Sequence, residues 1–192
     1  MTFHKKAIDI FWITCYARSL EELGDITVGN MFFNVLTFAY TEMETSQSAI
    51  KSLKRIDINL YEGVGRIFDI SKDNGPTLLF DCGIYAYRQD ASLPEGIESG
   101  SFVKMRFYMR FDEGYYHHYA MNGESLIKVI PEMLYNWRVK NILVLVKDDK
   151  YFKNQPVAYE SNKGDIYKSI KKTSAYKDCG GDADYILICE ML

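Results

Sequence analysis

Apolar and polar positions alternate most cleanly in SFVKMRFYMRFD (101–112). Met105, Phe107, Met109 and Phe111 take every second place, with Arg106, Tyr108, Arg110 and Asp112 between them. Successive side chains of a strand point to opposite faces, so this period of two predicts a half-buried antiparallel strand with an apolar and a polar row. Two strand-like runs precede it, INLYEGVGRIFDI (58–70) and TLLFDCGIYAYRQD (77–90). KDNGP (72–76) is a turn signal between those two, and ASLPEGIESG (91–100) is a longer loop before the third. Gly63 and Gly65 fall at alternate positions of the first run, which in a strand marks bending or coiling. Three successive strands with a bent first member predict a curled antiparallel sheet or a partly open, OB-like barrel.

The flanking pattern adds strands and little helix. ITVGNMFFNVLTFAYTE (26–42), WRVKNILVLVKD (137–148) and ADYILICEML (183–192) are rich in β-branched and aromatic residues and read as strands; the last is apolar enough to pair inside the sheet. From Ile8 to Tyr16 the apolar residues are too dense for a clear period, which fits a strand or a buried helix. Ser46 or Ser48 can cap a short helix with Ile50, Leu53 and Ile56 on one face and Lys51, Lys54 and Arg55 toward water. GDIYKSIKKTSAY (164–176) suits a short amphipathic helix or a turn region. ESLIKVIPEMLYNW (124–137) stays open, because Pro131 interrupts its helical spacing. The fold class expected is mainly β to α+β, with one or two short helices. With 192 residues and no Pro- or Ser-rich linker, a single globular domain over 1–192 is expected.

Composition changes this picture in two ways. Aromatic residues make up 15% of the chain, which reinforces the strand reading. The formal charge of -3 supplies no field that would attract a polyanion, so nucleic acid is disfavoured as a partner unless a local basic patch exists. HKKAIDIFWITCYA imitates a signal peptide, but Asp9 interrupts its apolar run and Trp12, Ile13 and Thr14 make a poor processing site before Cys15. No apolar stretch approaches the ~18 residues that span a bilayer. A cytoplasmic protein with no membrane contact is expected.

Candidate chemistry is sparse. GYYHHYA (114–120) places Tyr115, Tyr116, His117 and His118 together, but adjacent side chains diverge on a strand or a helix, so the two imidazoles do not suit one metal ion. Contact residues in a wall of tyrosines are the expected role, with general-base use of one histidine as the alternative. Cys15, Cys82, Cys179 and Cys189 form no CxxC pair and are expected as small buried hydrophobes. Asp178, Asp182 and Asp184 lack the spacing of a calcium loop. No nucleophile elbow or Walker pattern occurs, and no cofactor or metal is expected. The face with binding potential carries Arg106, Tyr108 and Arg110, with Tyr85 and Tyr87 alternating along the run before it. Arginine and tyrosine anchor protein interfaces and also stack on bases or sugars.

In the last third, Trp137-Arg138-Val139 opens a strand, Thr173, Tyr176 and Asp178 follow, and Tyr185-Ile186-Leu187-Ile188-Cys189-Glu190 closes the pattern. This stretch, roughly 135–192, resembles the tail of small bacterial proteins that accompany polymorphic-toxin or contact-dependent inhibition systems as immunity proteins. The resemblance implies a cytoplasmic, β-rich protein that neutralises a toxin by binding it, and it carries over no functional residue. Trp137 and Cys189 are expected in the core. The function expected is therefore a non-enzymatic protein-binding module, an immunity-type inhibitor with a cognate toxin domain as partner. An OB-like binder of single-stranded nucleic acid or oligosaccharide is the alternative, and an enzyme using His117 or His118 is the third option.

Overall fold

The structure is a computed structural model that describes residues 10–16, 24–70, 75–112, 131–146, 154–177 and 185–192. Its strands in chain order are β1 (Ile10–Cys15), β2 (Met31–Asn34), β3 (Leu36–Thr45), β4 (Ser52–Arg55), β5 (Leu60–Asp69) and β6 (Thr77–Asp81). They continue as β7 (Tyr85–Gln89), β8 (Phe102–Phe111), β9 (Tyr135–Leu145), β10 (Tyr159–Glu160), β11 (Ile166–Ile170) and β12 (Tyr185–Met191). Helix among the described residues amounts to a 3-10 turn at Pro131–Met133 and one α-turn at Ser174–Lys177.

The strand with the clearest alternation organises the rest. β3 runs antiparallel along one edge of β8 from Leu36↔Phe111 to Thr45↔Val103. The other edge of β8 is shared: β5 pairs along it as far as Leu60↔Tyr108, and β1 then takes over through the parallel pair Thr14↔Arg110. β5, β6 and β7 form an antiparallel meander whose last strand meets β3 at Thr37↔Tyr87, closing a ring β8–β3–β7–β6–β5. β2 and β3 are separated by Val35 alone, yet β2 pairs with β9. Because β9 pairs with β12 and β12 with β1, a second ring β8–β3/β2–β9–β12–β1 closes beside the first. The result is a mostly β protein built on one curled, mixed sheet, with a partly ring-like arrangement.

One core fills both rings. Val103, Met105, Phe107, Met109 and Phe111 all point inward and are at most 1% exposed, which is the apolar row that the alternation predicts. In the first ring Phe107 meets Phe38 and Phe80 edge-on and Tyr61 stacked. In the second, Phe111 meets Trp137 and Phe32. The predicted core residues Trp137 and Cys189 are both fully buried. Cys15, Cys82 and Cys189 are buried, while Cys179 lies outside the described residues.

Several local expectations are corrected. The helix predicted after Ser46 is instead β4, paired antiparallel with β5 from Ser52↔Val64 to Arg55↔Tyr61. The Ser46 hydroxyl accepts the Ser48 N–H and donates to the Ser48 carbonyl, a local turn rather than a cap, and Ile50 is 78% exposed. Pairing with the open edge of β5 overrides an apolar spacing that has no second face to pack on. The run 77–90 is a hairpin, not one strand. It folds at Cys82-Gly83-Ile84, where Gly83 has φ 105° and its N–H reaches the Asp81 carboxylate. The run 26–42 is likewise divided, by a turn at Val28 and Gly29 (φ 97°) and by Val35 between β2 and β3. Residues 166–170 form β11 on the edge of β9, where a helix or turn was expected. The sheet is mixed, because β1–β8 and β3–β7 are parallel contacts.

One side chain bridges a split in the sheet. β1 meets β8 in the ladder at Thr14↔Arg110, and two residues earlier the fully buried Tyr61 hydroxyl accepts the Trp12 N–H at 2.7 Å and donates to the Trp12 carbonyl at 3.2 Å. Burial raises this phenol well above the ordinary tyrosine range, so it remains a donor at any working pH. Tyr61→Phe orphans both backbone groups and is expected to lower unfolding free energy by about 1–3 kcal/mol. Urea unfolding should show a lower midpoint at constant slope; a midpoint within error of the parent would mean that water or another group replaces the hydroxyl.

Candidate binding cleft

The outer row of β8 holds the predicted residues Arg106, Tyr108 and Arg110, and the fold divides them between two depressions. Arg106 belongs to the first. The register Glu42↔Arg106↔Glu62 puts a carboxylate on each side of it, at 3.7 Å and 3.4 Å, and Lys104 lies 3.6 Å from Glu62. This depression, about 460 Å³, is a ladder of exposed charges that neutralise one another. Such surface pairs contribute little stability, about 0–1 kcal/mol each, and they leave Arg106 supplied with counterions.

Tyr108 and Arg110 belong to the second, a cleft of about 250 Å³ lined also by Thr14, Tyr16, Asn59, Leu145, Tyr167 and Ile186. Three parts of the fold converge to make it. β1 places Trp12, Thr14 and Tyr16 on its outer face by the two-residue period, and the Thr14↔Arg110 contact brings that face beside β8. β12, β9 and β11 supply the apolar floor through the pairs Leu143↔Ile186 and Leu145↔Tyr167. The β4–β5 turn leans over from the third side. Its Ile58 packs into the cluster of Leu143, Tyr167 and Ile186, and the Asn59 amide donates to the Thr14 hydroxyl. Asp57 pins this turn, accepting the Ile58 N–H at 2.8 Å and the Tyr159 hydroxyl at 3.0 Å.

The polar rim has a particular character. The Arg110 guanidinium stands 5.5 Å from the centre of the Tyr16 ring, and no carboxylate among the described residues lies within ion-pair distance of it. Asp112, next along the same face, accepts the Tyr87 hydroxyl at 2.6 Å. Tyr108 is half-buried, and no hydrogen bond of its hydroxyl is formed among the described residues. At the far end of the β1 face, Arg55 lies 4.0 Å over Trp12 and donates to the Asp57 carbonyl at 2.9 Å.

The other predicted residues fall elsewhere. Tyr87 shares the cross-strand row Tyr87–Thr37–Arg110–Thr14 but is 3% exposed, covered in a separate cluster with Val35, Leu79 and Met133. Tyr85 is half-buried beside that cluster, and its N–H donates to the Tyr135 hydroxyl at 2.6 Å. Tyr115, Tyr116, His117 and His118 lie outside the described residues, as do Asp178, Asp182 and Asp184. Thr14, Tyr16, Asn59 and Tyr167 join the cleft with no motif to announce them. Tyr16 ending an apolar run and Asn59 between Ile58 and Leu60 were the available signals.

Reactive groups are not assembled among the described residues. No group of three or more His, Cys, Asp or Glu is placed to hold a metal ion there, and no helix there is long and apolar enough to cross a membrane. Burial raises the Cys82 thiol to about 12 and pushes Cys189 higher still, the reverse of what a nucleophilic cysteine needs.

Fold and cleft together define a class: a β-rich protein whose curled sheet presents a half-buried arginine among tyrosines over an apolar floor. Beyond that class, no family model, curated protein or solved structure matches this chain.

Proposed function

We propose that the protein is a non-enzymatic, cytoplasmic protein-binding module, most concretely an immunity-type inhibitor that neutralises a cognate bacterial toxin by direct binding. The observation that carries this reading is Arg110, half-buried beside Tyr16 and Tyr108 with no carboxylate of the described residues at ion-pair distance. Interface hot spots have this composition: a preorganised arginine and rigid aromatic rings around a dry floor. The immunity resemblance of residues 135–192 points the same way. The alternative, an OB-like binder of single strands, is weakened by the ladder on β8, because Arg106 and Lys104 already face Glu42 and Glu62.

The test is a pull-down with this protein as bait from lysate of its host, with any neighbouring toxin domain supplied in inactivated form. A one-to-one complex is expected. Titration calorimetry of that complex should show Tyr108→Ala and Arg110→Ala each weakening binding by about thirtyfold, roughly 2 kcal/mol. Arg106→Ala should cost less, within about 1 kcal/mol, because its charge is compensated on the surface. Absence of any stoichiometric protein complex, together with single-strand affinity that falls steeply with salt, would transfer the function to the alternative.

A further inference from the structure

Resting on that protein-binding reading, we propose that the Arg110 cleft recognises a carboxylate, presented on an acidic side chain of the partner.

Size comes first. At about 250 Å³ the cleft is smaller than the ~300–1,000 Å³ typical of sites for small organic ligands. It has room for one side chain or two, delivered by a larger molecule, rather than for a dinucleotide or a cofactor.

The chemistry of the cation comes second. The Arg110 guanidinium carbon lies 5.5 Å from the centre of the Tyr16 ring, within the range of a cation–π contact. The guanidinium carries its N–H donors in one plane as a fork that matches the two oxygens of a carboxylate. Tyr108 stands two residues along the same face of β8, about 6.7 Å away by strand rise, with a hydroxyl to offer the same anion. Leu145 and Ile186 below provide an apolar bed for the stem that carries the charge.

The surroundings decide which anion. The next arginine on β8 is Arg106, and it stands between Glu42 and Glu62. A ligand with charges in series, such as a phosphodiester chain, would leave Arg110 and run along β8 into those two glutamates. A single negative charge entering from the partner meets the cation, and among the described residues no carboxylate stands at ion-pair distance from it. The turn that carries Asp57 does not compete, because Asp57 is 8% exposed and held by the Ile58 and Asn162 N–H groups and the Tyr159 hydroxyl.

The measurement uses the full chain and three probes of one shape: phenylacetate, phenylacetamide and phenyl phosphate. Proton–nitrogen NMR follows the arginine side-chain Nε–H signals at physiological salt. Phenylacetate is expected to move the Arg110 signal in a saturable way, and phenylacetamide to bind at least tenfold more weakly. Arg110→Gln should abolish the response, whereas Arg88→Gln, whose parent side chain lies over Tyr40, should leave it intact. Tyr108→Phe keeps the ring and should weaken phenylacetate severalfold, which guards against a folding defect in the charge variant. Equal binding of acid and amide, or no shift of Arg110, would overturn the proposal. Phenyl phosphate binding more than tenfold tighter than phenylacetate would overturn it in favour of a phosphorylated partner. The two readings fail separately. A partner held equally by the parent protein and Arg110→Gln removes the carboxylate and leaves the protein-binding module. Saturable phenylacetate binding with no protein complex removes the module and leaves the anion chemistry.

Discussion

Trp137→Ala is expected to lower the unfolding free energy by about 3–5 kcal/mol, the range for deleting a fully buried large aromatic side chain. Trp137 has no exposed surface, and three rings surround it edge-on: Phe11 at 5.5 Å, Phe111 at 5.6 Å and Tyr135 at 5.6 Å. Its indole N–H also donates to the Asn34 carbonyl at 3.1 Å, so truncation leaves an acceptor unpaired at the point where β2 meets β9. The surrounding rings belong to three different strands that are each fixed by ladder bonds, which limits how far the cavity can collapse. Against a total of about 5–15 kcal/mol for an ordinary domain, the variant should sit close to its unfolding threshold at 37 °C. Urea titration followed by circular dichroism gives the number, and the half-buried Trp12 remains as a fluorescence reporter. A loss below about 1 kcal/mol would mean that the second ring does not pack on Trp137 in solution.

Gly65→Ala is expected to be the second large effect, for the opposite reason. A Cβ at Gly65 would lie 2.3 Å from the Asp81 carbonyl oxygen and 2.7 Å from the Cys82 Cα. Both are backbone atoms at the point where β6 turns into the hairpin, so relief requires the strand itself to move. Overpacking of cores costs about 1–3 kcal/mol, and this site belongs at or above the upper end. Gly63→Ala is the internal comparison. Its Cβ would meet the Ser52 carbonyl at 3.1 Å and the Phe107 ring at 3.4 Å, contacts that a few tenths of an ångström relieve. The expected order is a midpoint loss several times larger at Gly65 than at Gly63. Equal midpoints for the two variants would show that the crossing of β5 and β6 is looser than described.

The alternate glycines also indicate what a sequence can disclose. Gly63 and Gly65 in a strand pattern were read as bending or coiling of that strand; the close approach of the Asp81 and Cys82 backbone to Gly65 is what the structure adds. β8 was legible because its period of two is unbroken, and β12 because a run such as Tyr185–Cys189 has no polar side to turn to water. The 46–56 region was not legible as β4: Ile50, Leu53 and Ile56 have helical spacing, and only the unpaired edge of β5 decides against it. β11 was hidden in the same way, since Ile166–Ile170 gains its strand from the edge of β9. The cleft was half legible. Tyr108 and Arg110 were marked by the alternation of β8, but Tyr16, Asn59 and Tyr167 reach them through pairings across nearly the whole chain. Nor did local pattern reveal that Arg106 stands between two glutamates while Arg110 stands between Thr37 and Thr14, because the register of β3, β5 and β1 against β8 settles that.

β12 is the central strand of its ring, lying between β1 and β9, although it follows both in the chain, and Ile10 pairs with Glu190. The consequence is kinetic. During synthesis the edges of β1 and β9 that face β12 have no partner until β12 has been made, and the pairing of Ile10 with Glu190 has very high contact order. Such a topology folds slowly and exposes sticky strand edges while it waits. This protein should therefore depend on chaperones, and the yield of soluble protein should respond more to the rate of expression and to temperature than to the final stability of the fold.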